Sequence, residues 1–250
     1  EGVVFLSTPF DIDSAKFLND LVPAYKIASG DNDFYLLIEV IAKTGKPIIM
    51  STGLMDLDEV KKPTNFIRKI WKENNIKQEL ALLHCVSSYP TPPEKANLLT
   101  ICELDHIADV VGYSDHTLGI EAAVLSVAFG SRIVEKHFTI DNDYSDFRDH
   151  KLSVDPTDFK EMVKRIRIAE KMLGDGKKIL TDLKTEEKEN IRRSIVAKHD
   201  LKAGKKISIR DLDWIRPGSG ISPGDEKNVL GKRLKHEIKA GEMIKIDHFK

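Results

Sequence analysis

The chain reads as an α/β protein built on a parallel sheet, followed by a small β-rich domain. Three observations carry that reading. Through residue 173, short apolar runs alternate with helical patterns at a spacing close to that of a (β/α)8 barrel. Two of the runs end in polar, metal-capable groups: Gly112-Tyr113-Ser114-Asp115-His116-Thr117 and Val134-Glu135-Lys136-His137-Phe138-Thr139. Further on, one segment occurs twice.

The elements follow in order. Val3–Leu6 reads as a strand, and Asp13–Leu21 as a helix with Ala15, Phe17, Leu18 and Leu21 at helical spacing. Tyr25–Ala28 and Pro47–Met50 are strand-like. Asp56–Trp71 is helical through Leu57, Val60, Ile67, Ile70 and Trp71, and Pro63 is expected to kink or restart it. Leu80–Cys85 is a strand. Pro93–Ile107 opens with proline, as helices often do. Asp109–Gly112 and Arg132–Glu135 are strands around an Ala-rich helix, Gly119–Phe129. Thr157–Leu173 shows Phe159, Met162, Val163, Ile166, Ala169 and Leu173 on one face, with Thr157 as the expected cap. Six βα units do not close a barrel of eight. The residues leave two architectures, a barrel short of two units and an open doubly wound sheet.

Residues 174–193 are Gly-rich and then charged, and read as a linker. Behind them Asp200–Leu212 aligns with Glu237–Phe249, each copy an Ala-Gly turn and a short alternating strand. The loop between the copies, Arg216–Gly224, is rich in Gly and Pro.

The chain has 250 residues, 41% hydrophobic and 32% charged, with a formal net charge of −1. That balance suits a soluble surface and gives no global attraction to nucleic acid or an anionic membrane. Two cysteines without CxxC spacing fit a reducing cytoplasm. No apolar run reaches membrane-spanning length, and no signal peptide is seen. The start at Glu1, almost directly in a strand, suggests a fragment.

Side chains alternate along a strand, so Ser114 shares a face with His116, and Glu135 with His137. Strand C-terminal ends are where ligands bind in parallel α/β folds. Neutral imidazoles on adjacent strand ends can converge on one cation. Lys26 lies just before Ser29-Gly30-Asp31, where a cation can hold phosphate or carboxylate; a solvated lysine is the plainer alternative. Ser29, Ser51, Ser87 and Ser114 all fall near strand ends, where hydroxyls around a lysine suit a phosphate.

Ser7-Thr8-Pro9-Phe10-Asp11, Tyr25–Asp31, Met50-Ser51-Thr52-Gly53, Leu83–Pro90, Gly112–Thr117 and Glu135–Thr139 together resemble the sialic acid synthase family, which includes N-acetylneuraminate, legionaminate and pseudaminate synthases. The repeat region is similar to the antifreeze-like SAF (β-clip) domain fused to them. The resemblance implies a (β/α)8 TIM barrel lacking its first two βα units over 1–173, a linker over 174–193 and a SAF domain over 194–250. It implies condensation of phosphoenolpyruvate with an N-acetylated amino sugar, and release of phosphate. His116 and His137 would hold a divalent metal, Mn²⁺ in the family. Lys26 would bind phosphoenolpyruvate with Ser29, Ser51, Ser87 and Ser114, although Ser87 stands where close relatives carry asparagine. Glu135 is the expected sugar or proton-handling carboxylate. Asp31 falls where related synthases often have glutamate. Tyr89 and Asp149, the latter in Arg148-Asp149-His150-Lys151-Leu152-Ser153, would contact the sugar. Arg216 would reach the partner's sugar site in a domain-swapped homodimer. A non-catalytic carbohydrate- or partner-binding protein is the reading from another class, because the first barrel units are absent. Another sugar-acid synthase using phosphoenolpyruvate is the enzymatic one.

Overall fold

A computed structural model describes residues 2–147, 149–178 and 185–250. The chain divides into two compact units, Glu1–Gly176 and Lys177–Lys250.

The first unit alternates helices and strands: α1 Ile12–Leu18, β1 Tyr25–Ile27, α2 Tyr35–Lys43, β2 Ile48–Ser51, α3 Leu57–Glu73, β3 Leu80–Cys85, α4 Thr100–Leu104, β4 Val110–Asp115, α5 Glu121–Ser126, β5 Ile133–Lys136 and α6 Pro156–Leu173. The five strands form one parallel sheet in the order β1-β2-β3-β4-β5. A doubly wound sheet reverses strand order at its switch point, and this one does not. Side chains from β1 and β5 meet in the site below, so the sheet is curled into part of a barrel. Its outer layer is packed by helix faces such as Val60, Ile67, Ile70 and Trp71 of α3 against Ile41 and Ala42 of α2. Burying each such large apolar side chain contributes about 1.5–3 kcal/mol.

Several expectations need correction. Val3–Leu6 forms no strand, and Val3 is 86% exposed. Among the described residues five strands pair in parallel where six were expected, and beyond β5 only the bridge Phe138–Val154 extends the parallel pattern. Pro63 does not interrupt α3, which starts with a capping box of Asp56 and Glu59 and buries Pro63 on its packed face. The expected helix over 93–107 breaks into a 3-10 turn, Pro93–Lys95, and the short α4, because Asn97 adopts left-handed φ 43° between them. The cap of α6 is Asp155, which accepts from the backbone N–H groups of Thr157 and Asp158, with Pro156 opening the helix. Helix α2 was not anticipated.

The second unit holds α7 Thr185–Ile191, inside the stretch read as a linker, of which 179–184 lie outside the described residues. Strands β6 Ser194–Ala197 and β7 Leu212–Ile215 pair antiparallel. The two repeat copies meet through equivalent residues: Leu201 N–H donates to Ile238 O at 2.8 Å, and Ile238 N–H donates to Leu201 O at 2.9 Å. Ile207 and Ile244, and Leu212 and Phe249, are buried in matched places. Gly204 and Gly241 both take φ 80°, which favours glycine in the Ala-Gly turn. The alternating end of each copy is a 3-10 turn, Ile209–Asp211 or Ile246–His248, in place of a regular strand.

Candidate active site

The strand ends of the curled sheet gather most of the expected residues. Lys26, on the middle of β1, is only 8% exposed, which excludes a lysine reaching into solvent. Its Nζ donates to Ser51 Oγ at 2.8 Å and to Ile27 O at 3.2 Å, and it faces Glu135 Oε2 at 3.3 Å. Ser114 Oγ donates to the other oxygen, Glu135 Oε1, at 2.7 Å. The ladder sets this up: Lys26 pairs with Ile49 between β1 and β2, and Ser114 lies directly opposite Glu135 between β4 and β5. A chain of polar groups therefore spans the curl from Ser51 through Lys26 and Glu135 to Ser114.

Ser29 and Ser87 flank Gly53. Gly53 N–H donates to Ser29 Oγ at 3.1 Å, and a Cβ built on Gly53 would lie 2.5 Å from Ser87 Oγ and 2.7 Å from Ser29 Oγ. Ser87 Oγ is buried and has no hydrogen-bond partner among the described residues. A buried hydroxyl costs stability unless water or a ligand satisfies it, which makes Ser87 a candidate ligand contact. Asn32, buried behind the loop, donates to Ser51 O at 3.2 Å and Gly53 O at 2.9 Å and so holds the Ser51–Gly53 turn. Asn32 was not singled out in the sequence, because an asparagine after a Gly-Asp pair reads as a turn residue.

His116 and His137 lie with ring centroids 5.2 Å apart, and Tyr89 covers His116 at 4.1 Å and His137 at 5.8 Å. His116 Nδ1 is 2.8 Å from Val86 O, which assigns its proton there. Asp149 Oδ2 lies 3.6 Å from His137 Nδ1. The donor set fits half of a divalent-ion site. Both Nδ1 atoms face an oxygen, so each Nε2 is left for an ion. Among the described residues no third His, Cys, Asp or Glu completes a cluster, so water and substrate oxygens would fill the remaining positions.

Local fields push the two rings apart. Burial lowers the His116 pKa, but Cys85, the Val86 carbonyl and Asp115 outweigh it, and the net direction is up. Burial and the neighbouring His116 lower His137 against the opposing Asp149 and Glu135 carboxylates. The Cys85 thiol, 3.9 Å from His116 Nδ1, is raised by burial, then carried below its ordinary value by His116, Ser29 and Ser114. Cys85 is a site neighbour that cysteine counting alone missed; its position at the end of β3 was the available signal. Burial, with Cys85, Asp149 and Glu135 nearby, raises the Tyr89 phenol, which therefore stays neutral.

Asp31 ends the 3-10 turn Ser29–Asp31. Burial and Asp33 raise its pKa. Among the described residues no hydrogen bond or ion pair joins its carboxylate to the groups above, and it does not cap α2, whose N-cap is Phe34. Asp149 is brought to His137, while Arg148 of the same motif lies outside the described residues. Arg216 is exposed on its loop in the second unit.

A profile of the NeuB family matches residues 1–178, and a profile of the SAF domain matches residues 192–250. An uncharacterised protein of Methanocaldococcus jannaschii is 46% identical over 97% of this chain and 71% of its own length. The N,N'-diacetyllegionaminic acid synthase of Legionella pneumophila is 39% identical over 99% of this chain and 69% of its own length. Among solved structures, the N-acetylneuraminic acid (sialic acid) synthetase of Leptospira borgpetersenii, in complex with citrate, matches with TM-score 0.66 and 34% identity, over 76% of this chain and 64% of that chain.

Proposed function

The chain belongs to the NeuB family, and on that premise we propose that its site condenses phosphoenolpyruvate with an N-acetylated amino sugar, N-acetylmannosamine or a bacterial relative, to give a nonulosonic acid and inorganic phosphate. The observation that carries this reading is the buried Lys26 ammonium between Ser51 and Glu135, on the same rim as the unpartnered Ser87 hydroxyl.

Lys26 neutralises the anionic donor. Ser51 Oγ already accepts from Lys26 and Ser29 Oγ from Gly53 N–H, so each hydroxyl keeps its own proton to donate. Ser87 adds a third donor, and the bare Cα of Gly53 lets the Ser29 and Ser87 hydroxyls pack close against the loop. Such preorganised donors stabilise charge as it builds on a departing phosphate. C3 of phosphoenolpyruvate forms the new carbon–carbon bond to the acceptor's aldehyde carbon, whose oxygen takes up a proton. Water adds at C2, and the C2–oxygen bond to phosphate breaks. Glu135 accepts at both oxygens and is the base placed to take the proton of that water.

His116 and His137 would hold a divalent ion, manganese in the family the chain resembles, and it would supply Lewis acidity toward the acceptor's carbonyl oxygen. Tyr89 and Asp149 flank that position and orient the sugar. Asp31, on the strand-end loop with Ser29, is the further acid assigned to the sugar side. Arg216 is assigned to the sugar site of a partner subunit in a homodimer; guanidinium suits amide and hydroxyl oxygens.

The test is phosphate release by a protein of the relatives' full length, with phosphoenolpyruvate, manganese and a panel of N-acetylated hexosamines. Release that requires both phosphoenolpyruvate and one of the acceptors supports the reading. Acceptor-independent release, or none with any acceptor, contradicts it.

A further inference from the structure

Asp115 and Lys136 take no part in the chemistry above. They lie directly opposite one another in the β4–β5 ladder, one residue from Ser114 and Glu135, so the pleat turns them to the opposite face of the sheet. Their side chains are 0% and 1% exposed, and Lys136 Nζ lies 2.9 Å from Asp115 Oδ2. A buried ion pair is poor evidence of stability, because desolvation consumes most of the attraction. Its placement calls for another account.

The two ends of the pair converge on one residue. Asp115 Oδ1 accepts the Thr117 backbone N–H at 2.8 Å, and Lys136 Nζ donates to the Thr117 carbonyl. The carbonyl of the residue after His116 is thereby tied directly to β5 at the residue before His137, and its N–H is tied there through Asp115. Other contacts hold each histidine separately: Thr91 N–H donates to His116 O at 2.9 Å and Val86 O faces His116 Nδ1, while Val154 N–H donates to His137 O at 2.8 Å and Asp149 faces His137 Nδ1. Beyond the Ser114–Glu135 bond and the β4–β5 ladder, the Asp115–Lys136–Thr117 clasp ties the turn that carries His116 to the end of β5, next to His137.

We propose that the buried Asp115–Lys136 pair is a positioning device for the two imidazoles: by clasping Thr117 from behind the sheet, it sets the His116–His137 separation and with it the affinity for a divalent ion. The inference rests on the metal reading of that histidine pair. Neither residue touches the ion or a substrate.

Lys136→Met alone would strand a buried carboxylate and endanger the fold. The informative variant is Asp115→Asn with Lys136→Met, which removes both charges, keeps an acceptor for Thr117 N–H and frees the Thr117 carbonyl. Manganese binding is read by electron paramagnetic resonance, inorganic phosphate binding by calorimetry, and folding by thermal melting. The expected result is a folded double variant whose manganese affinity falls roughly tenfold or more, as when a group that positions a metal ligand is lost, with phosphate affinity unchanged. Unchanged manganese affinity overturns the proposal. Parallel loss of manganese and phosphate binding marks the pair as merely structural and also overturns it. If the unaltered protein takes up no manganese, the metal reading fails and the proposal falls with it; the phosphate titration then reports separately on the Lys26 site.

Discussion

Lys26 and Glu135 stand on the first and last strands of a five-stranded sheet, yet their charged ends are 3.3 Å apart. Four strand spacings of about 4.8 Å would put flat edges roughly 19 Å apart, beyond the combined reach of the two side chains. The contact therefore demands curvature, and the curvature turns strand ends that are distant in sequence into one site. It also separates the part-barrel from an open doubly wound sheet.

Gly53 tests the anion cradle by steric means. Gly53→Ala places a methyl group 2.5 Å from Ser87 Oγ and 2.7 Å from Ser29 Oγ, so both hydroxyls must move from the places where they would meet a phosphate. Phosphoenolpyruvate affinity should fall at least roughly tenfold, the equivalent of about one lost charge-assisted hydrogen bond. Calorimetric titration with unchanged affinity would show that the ligand does not use these hydroxyls.

Gly112 tests the sheet itself. A Cβ there would lie 2.3 Å from Ile133 O and 2.5 Å from Leu83 Cδ2, and the first of these is backbone of the adjacent strand. Gly112→Ala should destabilise the first unit by about 1–3 kcal/mol, the usual cost of overpacking. Urea denaturation monitored through Trp71 checks this, and an unshifted midpoint would contradict the register of β4 on β5.

His84 gives the first unit an acid sensitivity. Its Nε2 lies 2.8 Å from Ala96 O, and its ring stacks on Tyr113. Burial pushes its pKa down, with the Ala96 carbonyl opposing. The unfolded chain accepts the proton near pH 6.5, before the folded chain does, so stability is complete above about that pH. It is lost as pH falls from there toward the depressed folded value. His84→Gln should flatten the slope of stability between roughly pH 5 and 7 relative to the unaltered protein. Identical slopes would show that His84 does not titrate between the two states; His137 and His116 are common to both proteins and cancel.

Arg216 tests the assignment of the second unit. Arg216→Ala in a protein of the relatives' length should raise KM for the sugar by roughly ten- to a hundredfold, the loss of about 1.5–3 kcal/mol, and leave KM for phosphoenolpyruvate nearly unchanged. Equal losses for both substrates, or none, would remove it from the sugar site.

Much of this site was legible because strand periodicity is local. An apolar run that ends in Ser-Asp-His or Glu-Lys-His places alternate side chains on one face before any partner strand is known. Val3–Leu6 has the same apolar character and failed as a strand, because pairing is a non-local property and no described strand lies against it. The helix expected over 93–107 failed at Asn97, where one left-handed residue outweighs the periodicity around it. Asn32 and Lys136 act through backbone groups of distant turns, which spacing does not reveal. The two SAF repeat copies were legible as copies; that they bond to each other through Leu201 and Ile238 was not.

The proposed role of Lys26 is to anchor an anionic substrate inside the curl. Calorimetric titration of phosphoenolpyruvate into the unaltered protein and into Lys26→Met tests it, with thermal melts confirming that both are folded. Removing a buried charge-assisted contact costs about 1.5–3 kcal/mol, so the variant should bind at least roughly tenfold more weakly. Equal affinity in two folded proteins would contradict the account.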